Sequence, residues 1–220
     1  MLANNNEQAR FNMVAQQVRP CEIVDEHVLE ILSLVPREAF VSEEYQGLAF
    51  ADVEVPINDQ QTMLKPLMEA QMLQALQVKE GDKVLEVGTG SGFTTACLAK
   101  LGGKVTTYEL DEALSAKAEA RLKAVGIEGV IFNTGDIFNV PLHKQEYDVI
   151  AVTGSVAMHS EALEDLLAPG GRMFIVVGEG PVMEVCLVTR NAAGNITKQA
   201  MCESSIPALT NAPKGEKFEF

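Results

Sequence analysis

Lys83-Val84-Leu85-Glu86-Val87-Gly88-Thr89-Gly90-Ser91-Gly92-Phe93 is the stretch on which the fold of this 220-residue chain turns. The run VLEV at 84–87 reads as a short strand, the alternate glycines as a tight turn, and a helix is expected from about Ser91 to Leu101. Downstream the pattern repeats. KVTTYEL at 104–110 reads as a strand, Asp111 to Val125 as a helix closed by Gly126, and VIFNTGD at 130–136 and YDVIAVTG at 147–154 as two more strands. A helix near Ser160–Leu167, the turn Pro169-Gly170-Gly171 and the strand RMFIVVG at 172–178 follow. Strands alternating with helices imply right-handed crossover units and a parallel sheet, so the expected class is α/β with a doubly wound, Rossmann-like sheet. EVCLVTR and ITKQAMC flank the polar turn Asn191–Asn195 and predict a C-terminal antiparallel hairpin, with an irregular stretch from Glu203 onward.

Upstream of the turn, the polar start gives way to a helix that Asp25 can cap, with Val28, Leu29, Leu32 and Val35 at helical spacing before Pro36. Residues 40–65 show no period and contain Pro56, Asn58 and Asp59, the composition of a loop-rich cover. Pro66 then suits the first turn of a helix carrying Leu67, Ala70, Leu73 and Leu76 inward. One domain over 1–220 is expected, with 1–65 as an N-terminal helical extension and cover and 66–220 as the ligand-binding core.

Seventeen basic against thirty-one acidic side chains leave a formal charge of −14, spread along the chain. Such a field repels phosphate backbones and anionic membrane surfaces, which disfavours nucleic-acid and membrane partners. The N-terminal twenty residues lack a signal-peptide core, and no apolar run approaches the roughly 20 residues needed to span a bilayer, so a cytoplasmic protein is expected, as a monomer or weak oligomer. Cys21, Cys97, Cys186 and Cys202 lie far apart, as do the three histidines, so the spacing predicts packed, reduced thiols and no metal site. Met63, Met68 and Met72 read as packing residues.

The chemistry is concentrated at successive strand ends. Gly88, Thr89, Gly90 and Ser91 form the turn after the first core strand, where a doubly wound sheet binds its ligand. Glu109, with Leu110 beside it, stands about twenty residues on, placed to accept both hydroxyls of a ribose. Gly135, Asp136 and Ile137 close the third strand, where Asp136 can accept from an adenine amine, and Thr153 closes the fourth. A dinucleotide is the competing ligand, but the spacing is GxGxG rather than GxGxxG. Glu86 just before the turn repels a pyrophosphate and favours a cationic ammonium and sulfonium. The expected cofactor is S-adenosylmethionine. A hydrolase reading of Asp148, Ser155 and His159 fails because no GxSxG elbow surrounds Ser155.

VLEVGTGSGF, together with VPREAFV at 35–41, FADVEVPI at 50–57 and YDVIAVTG…LAPGGRMFIVVG, resembles the protein-L-isoaspartate O-methyltransferase family along nearly the whole chain. The resemblance implies a methyltransferase sheet and methyl transfer to the free carboxylate of isoaspartate, with Glu86, Gly88, Glu109, Gly135 and Asp136 holding the cofactor. The chain departs from the family's usual TISQP at Thr62-Met63-Leu64-Lys65-Pro66, from GQT at Gln60-Gln61-Thr62, and from GDG at Gly135-Asp136-Ile137. Leu64 stands where the family has a serine, and an apolar side chain cannot donate to a carboxylate. Thr62 and Lys65 are therefore expected to receive an anionic acceptor, Lys65 supplying charge in place of the hydroxyl; the alternative leaves Lys65 solvated and Thr62 as a helix cap. Three readings stay open: a protein or peptide carboxylate acceptor, a small carboxylic acid or another nucleophile, or a cofactor-binding homologue with a regulatory role.

Overall fold

The computed structural model describes residues 2–213, with side chains from residue 5. Met1 and the last seven residues of the C-terminal stretch expected to be irregular lie outside the described residues.

The polar start is helical: α1 spans Leu2–Asn12, continues through a π-helical turn at Met13–Val18 and ends in a 3-10 turn at Arg19–Cys21. Met13 and Val18 of that turn are fully buried, so a segment that reads as polar by composition is anchored by two apolar side chains. Asp25 caps α2 (Glu26–Leu34), its carboxylate accepting from the His27 and Val28 amides, as its sequence position predicts. The cover at 40–65 is more ordered than its composition suggests. A 3-10 turn at Arg37–Phe40 leads into it, and it contains a second at Glu43–Leu48 and a short hairpin, β1 (Val55–Pro56) against β2 (Thr62–Met63).

Helix α3 runs Pro66–Leu76 and turns Met68, Met72, Leu73 and Leu76 inward, whereas Leu67 is only half-buried. The core then alternates: β3 (Lys83–Val87), α4 (Phe93–Lys100), β4 (Lys104–Glu109), α5 (Glu112–Ala124, capped by Asp111), β5 (Ile131–Thr134), β6 (Tyr147–Val156), α6 (Glu161–Glu164), β7 (Leu167–Val177), β8 (Met183–Arg190) and β9 (Ile196–Ser204). The helix expected at Ser160–Leu167 is a single turn with Ser160 as its cap. Pro169-Gly170-Gly171, expected to be a turn, lies inside β7 where the pairing with β6 slips between Tyr147 and Val149. A Cβ on Gly171 would meet three carbonyl oxygens at 2.8–3.2 Å, so glycine permits the strand to continue through this irregularity.

The seven strands lie in the order β5-β4-β3-β6-β7-β8-β9, parallel from β5 to β7 and antiparallel for β7-β8-β9. This is the expected doubly wound sheet with an antiparallel C-terminal hairpin. Alternate residues of the central strands enter opposite cores: Val84, Val149, Ala151 and Phe174 join one, Leu85, Ile150, Val152 and Met173 the other. The period-two pattern with both faces covered explains why these strands read as near-continuous apolar runs. The first core also holds α2 and α3, which fixes the N-terminal region against the sheet. Strand order reverses at β3, leaving a crevice where β3 and β6 part beyond their C-terminal ends. None of the described helices is long and apolar enough to cross a membrane.

Candidate active site

A cavity of about 200 Å³ opens at that reversal point. Its floor is the glycine turn. Gly88 adopts φ +93°, and a Cβ there would fall 2.5 Å from Thr153 Oγ1, so only glycine fits; Thr153 Oγ1 in turn donates to the backbone of the turn. Gly92, at φ +90°, lets α5 approach, since a Cβ would meet Leu122 and Ala118 at 2.9–3.0 Å.

Along one wall stand Tyr108, Glu109 and Leu110 at the end of β4, followed by Gly135, Asp136, Ile137 and Phe138 after β5. The Glu109 carboxylate is nearly fully buried and held in place, one oxygen accepting from the Gly90 amide at 2.9 Å and the other from the Asp111 amide at 3.2 Å. Asp136 accepts from the Phe138 amide at 3.0 Å and from the side-chain amides of Asn139 and Asn211 at 2.6 and 2.9 Å. The opposite wall is the cover hairpin, contributing Ile57, Gln60, Gln61 and Thr62.

The expected residues divide on this geometry. Gly88, Gly90, Glu109, Leu110, Gly135, Asp136, Ile137, Thr153 and Thr62 line the cavity, whereas Glu86, Thr89, Ser91, Leu64 and Lys65 do not. Glu86 is fully buried, with one oxygen accepting from Thr95 Oγ1 at 2.5 Å and Thr107 Oγ1 at 2.7 Å. Its other oxygen has no partner among the described residues. Burial pushes its carboxyl up to about 8; the two hydroxyl donors oppose the shift and Glu109 adds to it. At neutral pH Glu86 is thus largely protonated and off the cavity wall. The repulsion of a pyrophosphate, expected from Glu86, falls instead to Glu109 and Asp136. Thr89 supports the same network, its hydroxyl 2.6 Å from that of Thr107. Ser91 is buried, and its Oγ accepts from the Phe93 amide at 3.3 Å.

Leu64 turns into the first core and is 5% exposed. Its carbonyl accepts from Arg37 Nη2 at 2.7 Å; Arg37, fully buried, pairs with Glu69 and stacks 4.7 Å over the Phe93 ring. Lys65 is exposed at the start of α3 and makes no capping hydrogen bond. Neither alternative for Thr62 describes its contacts: it lies in β2, and its hydroxyl donates to Glu54 at 3.1 Å. The Leu67 amide of α3 donates instead to Asp52.

Asp148 and Ser155 stand at opposite ends of β6, so the hydrolase trio is not assembled. Fully buried Ser155 anchors a segment that shows no periodicity. Its amide donates to the Pro207 carbonyl, its carbonyl accepts from Leu209, and its hydroxyl donates to the Ile206 carbonyl. Residues 206–212 thereby cross the sheet end as a strap, and Pro207, Ala208, Leu209 and Thr210 close the cavity. The strap's signals in the sequence are Ile206 and Leu209, branched apolar residues three positions apart.

Comparison with known proteins agrees with this architecture. The model of the family "Protein-L-isoaspartate(D-aspartate) O-methyltransferase (PCMT)" matches residues 8–212. A protein-L-isoaspartate O-methyltransferase of Koribacter versatilis is 39% identical over 203 residues, which is 92% of this chain and 91% of that one. One from Pseudomonas aeruginosa is 37% identical over 188 residues, covering 85% and 89%. Among solved structures, a Plasmodium falciparum chain described as a protein-L-isoaspartate O-methyltransferase, crystallised with S-adenosyl-L-homocysteine, superposes with a TM-score of 0.79 at 23% identity, covering 93% of this chain and 98% of that one.

Proposed function

The chain belongs to the protein-L-isoaspartate(D-aspartate) O-methyltransferase family, and from that premise we infer that it is an S-adenosylmethionine-dependent O-methyltransferase acting on the free carboxylate of isoaspartyl residues in proteins or peptides. The observation that carries this reading is the cavity itself. A glycine floor in which Gly88 admits no Cβ faces two fixed carboxylates at neighbouring strand ends, and no Lys, Arg or His lines the cavity among the described residues. That wall suits a nucleoside bearing net positive charge and is hostile to a pyrophosphate.

The residues present fit the cofactor. Glu109, its oxygens directed by the Gly90 and Asp111 amides, is placed to accept from ribose hydroxyls; Asp136, Ile137 and Phe138 are placed around the base; Gly88 and Gly90 allow close backbone approach. When bound, the cofactor supplies an electrophilic methyl group: a carboxylate oxygen takes it, the carbon–sulfur electron pair stays on sulfur, and a methyl ester forms. A carboxylate nucleophile of pKa near 3.9 is ionised at neutral pH, so the protein need not supply a general base. Its contribution is alignment, which in favourable cases lowers a barrier by about 7–11 kcal/mol. The strap and hairpin serve that alignment by narrowing the cavity from two sides.

A cytoplasmic site of action fits the four free thiols, Cys21 being exposed. The function is tested by offering an isoaspartyl peptide and its normal aspartyl counterpart with labelled cofactor. Base-labile label on the isoaspartyl peptide alone is expected; label confined to small carboxylic acids, or none despite cofactor binding, would assign the site to one of the other two readings.

A further inference from the structure

Resting on the isoaspartyl reading above, we propose that Gln61 is the residue of the hairpin wall that receives the acceptor carboxylate. The hairpin wall offers few candidates. Thr62 lines the cavity, but its hydroxyl hydrogen is engaged by Glu54, so it presents lone pairs to an anion. Leu64 and Lys65 are off the wall, and no cationic side chain among the described residues takes their place.

Gln61 differs from its neighbours in being tethered. Asn58 Oδ1 accepts from the Gln60 and Gln61 amides at 2.9 and 2.8 Å, which fixes which end of the Asn58 carboxamide is oxygen. The Asn58 amide group must then face Gln61, and it donates to Gln61 Oε1 at 3.0 Å. The Gln61 carbonyl accepts from the Ile57 amide at 2.8 Å, closing the loop. With its oxygen engaged, Gln61 keeps an Nε2 group that makes no hydrogen bond among the described residues, on a residue of the cavity wall. Gln60 also lines the cavity, but its side chain is exposed and untethered, so ordering it on an acceptor has an entropic cost that Gln61 has largely met on folding.

A neutral donor also suits the reaction. The acceptor loses its negative charge as it takes the methyl group, so a lysine pairing would stabilise the ground state more than the transition state. An amide orients the non-reacting oxygen and opposes the loss of charge less.

The test uses the full-length protein with an isoaspartyl peptide, initial rates over pH 5–8, and anisotropy of the labelled peptide on the S-adenosylhomocysteine-bound protein. Gln61→Ala should raise KM and the peptide Kd about tenfold, with kcat within about threefold and cofactor affinity unchanged. Gln61→Glu should raise them about a hundredfold at pH 8, a deficit that shrinks toward pH 5 as the new carboxyl takes up a proton and becomes a donor, a recovery that a merely structural role would not produce. Gln199→Ala, at an exposed position of β9 that does not line the cavity, should match the parent. KM and Kd within twofold of the parent for both Gln61 variants, or a Gln61→Glu deficit independent of pH, would overturn the assignment while leaving the isoaspartyl reading intact. A parent protein that leaves the isoaspartyl peptide unmethylated would sink that reading and the assignment with it.

Discussion

Glu109 and Leu64 illustrate what a single position contributes, because one is held at the cavity and the other is held away from it. Glu109 accepts two backbone amides that pre-set its oxygens, so Glu109→Ala removes both the ligand contact and the acceptor for the Gly90 amide. A charged hydrogen bond contributes roughly 1.5–3 kcal/mol, and calorimetry should show S-adenosylmethionine affinity about 10–150-fold weaker. Leu64 is buried in the main core with only its carbonyl engaged by Arg37. Leu64→Ser should therefore lower unfolding stability by about 2–5 kcal/mol in a denaturant titration without raising methyl transfer, because the new hydroxyl would sit in the core. A gain of activity in that variant would show that position 64 reaches the acceptor. The motif alone could not reveal this orientation: period-two reading of so short a hairpin does not say which of Met63 and Leu64 faces in, and both are buried.

At the scale of elements, the central strand β3 and helix α4 share the buried Glu86. The folded chain keeps its proton up to about pH 8, whereas the unfolded chain releases it near 4.5, so this group's stabilisation is complete below 4.5 and is lost as pH rises through 8. The melting temperature should fall across that window, by up to about 1.4 kcal/mol of stability per pH unit from this one proton. Glu86→Gln should flatten much of the slope, with a remainder from Glu69, whose carboxyl burial also raises, against the pull of Arg37. An unchanged slope in the variant would mean that Glu86 is ionised in the fold. The strap makes a second element-level prediction. A Cβ on Gly154 would lie 2.8 Å from Leu209 Cδ2 and 3.2 Å from the Pro207 carbonyl, so Gly154→Ala should displace the strap and weaken cofactor binding about tenfold, with little loss of thermal stability. Equal binding by parent and variant would show that the strap does not close on the ligand.

Elements with strong local signals are legible in the sequence: Asp25 caps the helix it is expected to cap, the helix expected from Asp111 forms with Asp111 as its cap rather than its first residue, and the strand ends carrying Gly88, Glu109 and Asp136 meet at one cavity. What escaped depends on long-range contacts. Pro169–Gly171 reads as a turn by composition yet is absorbed into β7 by pairing with β6, and the strap is held by Ser155 some fifty residues earlier. By its place beside the turn Glu86 reads as a cavity charge, but strand alternation sends it to the other side, onto the hydroxyls of Thr95 and Thr107.

For the whole molecule, the surplus of fourteen negative charges and the acidic cavity set different conditions for the two ligands. The field attracts a cationic cofactor and resists an anionic acceptor, so salt should aid methylation of acidic peptides by screening the repulsion. In the proposed reaction, this sheet brings a carboxylate acceptor to a methyl donor through alignment alone. The most direct measurement is transfer of labelled methyl to an isoaspartyl peptide beside its aspartyl isomer, with cofactor binding followed in parallel. Base-labile label on the isoaspartyl peptide, absent from its isomer, is the result expected; tight cofactor binding with equal or no labelling of the two peptides would contradict it.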